Sequence, residues 1–213
     1  MGGRRAVDRA KMIAQEIPGY EYGTHEAARS PVSTADFEAL KQSAGFTADE
    51  EHWLRMAGEA LTGQTKALVE KWREIIAKLP HLAMYSQTPD GEKDPKYGER
   101  SGLRFEQWVL DTCLRPYDRD WLNYQHEIAL RHTSLKKNET DGVESAPLIH
   151  LRHIIAFSAV VTDPEILKPF LAGNGSSAVD VEKMHRAWSK SIWLQIALWS
   201  EPYTDTRLAP NQW

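Results

Sequence analysis

Apolar residues recur three and four positions apart through almost every segment of this 213-residue chain, and strict apolar–polar alternation is nearly absent. That period stacks side chains on one face of a helix, so the sequence specifies an all-α fold. Breakers and caps then place the elements. Pro18-Gly19 interrupts a basic leader, and a short helix runs from about Thr34 to Ala44, stopped by Gly45. Thr47-x-x-Glu50 is a capping box opening a helix that carries Trp53, Leu54, Ala57 and Leu61. Leu68, Trp72, Ile75, Ile76 and Leu79 share a face of the next helix, which ends at Pro80. Thr88-Pro89-Asp90-Gly91 is a turn, and the chain stays polar to Pro95.

From Lys96 to Leu114, Gly98, Gly102, Phe105, Val109 and Cys113 lie on one helical face. A face of small residues with one ring in its middle accommodates either a flat group or a close helix–helix contact. A helix from Asp118 presents Trp121, Gln125, Ile128 and His132, with the histidine at its C-terminal end. Thr133 to Pro147 reads as a polar surface loop, and two long helices, Leu148–Leu171 and Val179–Ser200, close the chain. The last has a stripe of Val181, Met184, Trp188, Ile192, Ile196 and Trp199. The length fits one domain, divided as a leader (1–20), a helical domain (21–203) and a polar tail (204–213).

Charge and cysteine usage narrow the function. Lys+Arg 26 against Asp+Glu 30 gives −4, too acidic for a surface that neutralises phosphates or anionic lipid, so neither nucleic acid nor a membrane is expected as partner. A single cysteine excludes an intramolecular disulfide and a thiolate metal cluster. The N-terminus lacks the apolar core of a signal peptide, and no run approaches the ~18 apolar residues of a membrane span, so a cytoplasmic protein is expected. With Trp 8 exceeding Tyr 7 and Phe 5, the core holds much flat aromatic surface.

Three chemistries remain. A carboxylate-bridged metal pair in a bundle needs two Glu-x-x-His motifs, and only Glu182–His185 exists; His150-x-x-His153 has no third ligand nearby. A cysteine nucleophile needs an accessible, electropositive setting, whereas Cys113 sits on an apolar face. The third is a haem on one axial histidine, for which His126 and His132 both qualify by position.

Words spread from Ile17 to Tyr203 bear on this choice: Ile17-Pro18-Gly19-Tyr20-Glu21-Tyr22-Gly23, Pro80-His81-Leu82, Trp108-Val109-Leu110-Asp111-Thr112, Trp121-Leu122-Asn123-Tyr124-Gln125, Leu130-Arg131-His132, Lys136-Lys137-Asn138 and Ala197-Leu198-Trp199-Ser200. In these the chain resembles the protoglobins, single-domain relatives of the globin domains of globin-coupled sensors. The resemblance implies a globin fold with an extra N-terminal helix and leader, and haem b (iron protoporphyrin IX) between the helix of Phe105 and the helix ending in His132. It makes His132 the proximal iron ligand. It sets Trp72, Arg73, Ser101 and Phe105 on the distal side, Trp108 in the helix clamping the ring, Phe157 and Val161 along the haem edge, and Arg104 near a propionate. It also implies reversible binding of a diatomic gas (dioxygen, carbon monoxide or nitric oxide), for sensing, carriage or scavenging, and a homodimer through the two C-terminal helices.

Relatives usually have Trp-Tyr where this chain has Trp72-Arg73, so the tyrosine hydroxyl that would donate to bound dioxygen is missing. Arg73 has three destinations: the pocket, a propionate or solvent. The cost of an unpaired buried cation favours the last two. A haem enzyme acting on peroxide, nitrite or a small organic substrate through a distal arginine is the alternative, and a haem-less interaction module is the third reading. The chain ends soon after the globin domain, so signalling is expected to need a separate partner.

Overall fold

The computed structural model describes residues 17–204, apart from the side chain of Asn174. Most of the leader and nearly all of the tail, including Trp213, lie outside the described residues. Helices are α1 (Thr34–Ser43), α2 (Ala48–Leu61), α3 (Thr65–Lys78), a four-residue α4 (Pro80–Ala83), α5 (Pro95–Leu114), α6 (Arg119–Leu130), α7 (Leu151–Val161), α8 (Pro164–Leu171), α9 (Ala178–Trp199) and α10 (Glu201–Thr204). Short 3-10 turns follow α4 and α8, and no strand occurs among the described residues, only an isolated bridge between Gln87 and Lys93.

Local chemistry accounts for the starts. Side chains of Ser33, Asp94, Asp118 and Asp163 accept from backbone N–H groups in the first turns of α1, α5, α6 and α8, and Thr47 and Ser177 build reciprocal capping boxes on α2 and α9. The expected helix over 148–171 is two helices. Thr162 ends α7, and Pro164, which has no N–H to donate, starts α8 at its first position behind the Asp163 cap.

Helix α9 packs against α2, α6 and α8, and α2 packs against α5. At the α2–α5 crossing, a Cβ on Gly58 would lie 2.5 Å from Leu114 and 2.7 Å from Cys113. The glycine is what lets the helices approach this closely. Trp72, Trp108 and Trp188 fill the centre, with Trp72 stacked on Phe105 at 5.5 Å and on Trp188 at 6.2 Å. Trp53, expected in the core, lies at its margin, its indole N–H on Asp49 and its face under Lys183. Burial raises the Cys113 thiol far above the ordinary cysteine range, leaving it inert as a nucleophile.

Residues 17–32 are held by side-chain bonds rather than by regular structure. Tyr20 donates to Asp111 (2.6 Å), Arg131 to the Gly19 carbonyl and to Glu21, and Arg119 to the carbonyls of Ser30 and Val32. The Ala28 N–H reaches buried Glu127 at 3.0 Å. This strap therefore runs along α5 and α6, the two helices on which the candidate site depends.

Buried Glu50 ties the start of α2 to α9 through Lys190 at 2.6 Å and accepts from both the N–H and the hydroxyl of Thr47. Burial pushes its carboxyl up, but the Lys190 and Thr47 bonds outweigh it and hold it at about 2. With the folded value below the unfolded one, this stability is present above the ordinary carboxylate range and lost as pH falls towards 2. We expect Glu50→Gln to flatten the acid limb of a thermal-stability profile between roughly pH 4.5 and 2. The wild-type protein should lose about 1–3 kcal/mol there from this group, the lower figure reflecting partly solvated Lys190.

Candidate functional site

His132 lies just beyond α6, in the turn that follows the C-cap Arg131. Its Nδ1 is 2.7 Å from the carbonyl of Ile128, four residues earlier. A carbonyl only accepts, so Nδ1 carries the proton and Nε2 carries the lone pair. No hydrogen bond reaches Nε2 from the described residues. The imidazole stacks on Trp199 (5.3 Å between centroids, 24° between planes), whose own N–H donates to buried Gln125. Behind the ring, the His132 carbonyl accepts the Ile149 N–H at 2.8 Å and the Tyr203 hydroxyl at 3.2 Å.

Burial pulls the imidazole down to about 4, with Lys137 and Arg131 acting in the same direction and the Ile128 bond partly opposing. The ring is thus neutral at physiological pH, with one free lone pair, a fixed tautomer and a fixed plane. These are the attributes of a prepared metal ligand. His126, the competing candidate, is largely buried, with its Nδ1 3.6 Å from a Glu201 carboxylate oxygen.

The other histidine motifs go elsewhere. His185 meets the Thr162 carbonyl and Glu182 pairs with Lys168, so Glu182-x-x-His185 binds no metal in this arrangement. His150 and His153 gather with His81, and Tyr85 bonds His153 at 2.8 Å. No group of three or more histidine, cysteine or acidic side chains among the described residues is arranged to hold a metal ion.

Among the residues expected on the distal side, Trp72 is fully buried and its Nε1–H has no partner. Phe105, stacked on Trp72, is partly exposed, as is Phe157, while Val161 is buried. Trp108 donates to Gln195 at 2.7 Å and packs edge-on against Trp188. Ser101 spends its hydroxyl on the Tyr97 and Gly98 carbonyls of its own helix.

Two arginines depart from the sequence expectation. Arg104, expected at a propionate, is bound to Asp141 through both terminal nitrogens and to the Pro18 carbonyl, so it fastens leader and loop to α5. Arg73, expected at a propionate or in solvent, lies across the small face of α5 and donates from Nη1 to the Gly98 carbonyl at 2.7 Å. A Cβ on Gly102 would sit on that same Nη1, and one on Gly98 would touch Nη2 at 3.4 Å. The flat group filling the glycine face is therefore a guanidinium.

Compared with known proteins, the chain matches the sequence profile described as Protoglobin over residues 33–208. The chain belongs to the protoglobin family. The family is one of haem globins that bind or sense gases, and the helical architecture, without strands among the described residues, agrees with its globin fold. Among curated proteins, the chain is also similar to Protein STICHEL-like 4 of Arabidopsis thaliana, 29% identical over 163 residues, which is 70% of this chain. The match spans only 17% of that protein's length.

The residues present fit the protoglobin prosthetic group. An unpartnered imidazole lone pair, an orphaned indole N–H and partly exposed rings are the donor set and walls that a flat metal macrocycle requires. Reading the sequence missed three parts: the Ile128 carbonyl, Tyr203 and buried Lys137. Only the first left a signal, the four-residue spacing of Ile128 and His132 on one helix. No helix among the described residues is long and apolar enough to cross a membrane.

Proposed function

We propose that this protoglobin holds haem b with His132 as the proximal iron ligand, and binds dioxygen, carbon monoxide or nitric oxide reversibly as a sensor, carrier or scavenger. The observation that carries the reading is the His132 imidazole, with its proton tied to Ile128 and its Nε2 left free. Haem iron, when bound, supplies the coordination position at which a diatomic gas binds reversibly. The chain's residues do the rest. Ile128 keeps the proton on Nδ1, and Trp199 keeps the ring in plane. Phe105, Phe157 and Val161 form apolar walls that exclude water. Trp72 and Arg73 bring the polar hydrogens that face a ligand, in place of the tyrosine usual in relatives.

The domain division at 20/21 and 203/204, a cytoplasmic location and a homodimer belong to the same reading. For the dimer, Trp193 on α9 is 53% exposed, with Ala197 beside it and small exposed Ala156 and Ala159 on α7. A large exposed indole among small residues suits a helix-on-helix contact between copies. Trp193→Glu should convert the dimer to monomer in sedimentation velocity, and a variant that sediments like wild type removes this face as the interface.

The test of the main reading is haem titration of purified protein. Saturable uptake of one haem per chain, with a ferrous spectrum that shifts under carbon monoxide and returns when the gas is removed, is expected. Non-saturating uptake that ignores carbon monoxide would sink it.

A further inference from the structure

Two cations near the small face of α5 have no acid partner. Arg73 uses one of its five N–H donors, on the Gly98 carbonyl, and no carboxylate among the described residues lies within ion-pair distance of it. Lys137 is buried and bonds only neutral acceptors, the Tyr85 carbonyl, Ser145 and Asn138, with its ammonium 5.8 Å over the Tyr97 ring. Tyr97 and Gly98 are neighbours near the start of α5, and Arg73 also acts electrostatically on the Tyr97 hydroxyl. The neighbouring charges change little: Arg104 is matched by Asp141, and Glu106 feels Arg73 but is not paired with it. A half-buried guanidinium with spare donors and no counter-charge gains most from a ligand that brings negative charge and acceptor atoms together. Gly98 and Gly102 keep it there, because a side chain at either position would displace or crowd it.

We propose that Arg73, seated in the Gly98–Gly102 groove, is a receptor for small monovalent anions such as nitrite and azide, and makes the haem site prefer anionic over neutral ligands. The proposal rests on the haem reading for the position of the site. It concerns the residue at which this chain departs from its relatives, so the family's gas chemistry does not supply it. Binding involves no bond making beyond coordination and hydrogen bonds.

The experiment is equilibrium titration of the ferric haem-loaded protein with sodium azide and sodium nitrite, alongside carbon monoxide on the ferrous form. Arg73→Leu should weaken azide and nitrite by about 10–100-fold, and carbon monoxide, which brings no charge for the guanidinium to meet, by at least about tenfold less. Arg73→Lys, which keeps the charge but loses the fork, should fall between. If Arg73→Leu fails to fold or hold haem, Gly102→Ala carries the test, since its Cβ ejects the guanidinium from the groove while leaving the arginine in the chain. Equal anion affinities in wild type and these variants overturn the proposal.

A second measurement needs no haem. In the haem-free protein, the Arg73 side-chain ¹⁵N signal, assigned by its loss in Arg73→Leu, should move on addition of nitrite. Should the protein take up no haem while this signal still moves, the anion site stands and the haem reading falls. A signal that stays put in such a protein overturns both.

Discussion

His132→Ala should fold and yet lose its hold on haem, with affinity falling at least about 100-fold, since even supporting contacts to a metal ligand are worth ten to a hundredfold. The loss should be specific to the lone pair. Free imidazole, small enough to enter the space left by the ring, should restore a five-coordinate ferrous spectrum in the variant. His126→Ala should keep the haem spectrum of wild type, because the His126 Nδ1 is directed at Glu201. The haem-free variant should still fold, at a cost of about 1–3 kcal/mol for the lost Trp199 stacking and the unmade Ile128 bond, since the backbone carbonyl that receives Ile149 and Tyr203 is kept. The two readouts, spectrum and stability, separate a lost ligand from a lost fold. An unchanged five-coordinate spectrum in His132→Ala means that another side chain holds the iron.

The same residue illustrates how far the sequence could be read. The period of α6 and the Leu130-Arg131-His132 word pointed to His132, and the i−4 spacing to Ile128 follows from helix geometry, although its consequence for the tautomer emerged only from the distance. Helix starts were legible wherever a cap and a breaker coincided, as at Thr47 and Asp118. The break between α7 and α8 was not, because Ile154 to Leu167 keeps an apolar pattern straight through Asp163-Pro164 and the pattern outweighed the proline. The arginines went astray for a different reason. The destination of a long charged side chain depends on which carbonyl or carboxylate the tertiary fold brings within reach. Asp141, Pro18 and the Gly98 carbonyl come from segments whose approach no local pattern encodes. Lys137 was hidden in the same way: a polar loop reads as surface, but this one folds back so that three acceptors enclose the ammonium. That burial draws the amine down to about 8. The glycine face was half legible, since its smallness was visible and its occupant was not.

Trp72 sets the strongest stability expectation. The indole is fully buried and packs on Phe105, Trp108 and Trp188, so Trp72→Ala should cost about 3–5 kcal/mol in haem-free protein, measured by chemical denaturation. Trp72→Phe should cost far less, about 1 kcal/mol, because two terms oppose one another. The smaller ring leaves a cavity and gives up apolar contact, but it also removes an N–H that is buried without an acceptor, a group whose lost hydration costs about 1–3 kcal/mol. The balance should change once haem and a ligand are bound. If the Trp72 N–H then finds an acceptor, the tryptophan recovers what it lost, and Trp72→Phe should become the costlier substitution in ligand-bound protein by about 1 kcal/mol, seen as roughly fivefold faster ligand release. An equal penalty for Phe in the haem-free and ligand-bound forms would mean that this indole serves packing alone and that distal polarity falls to Arg73.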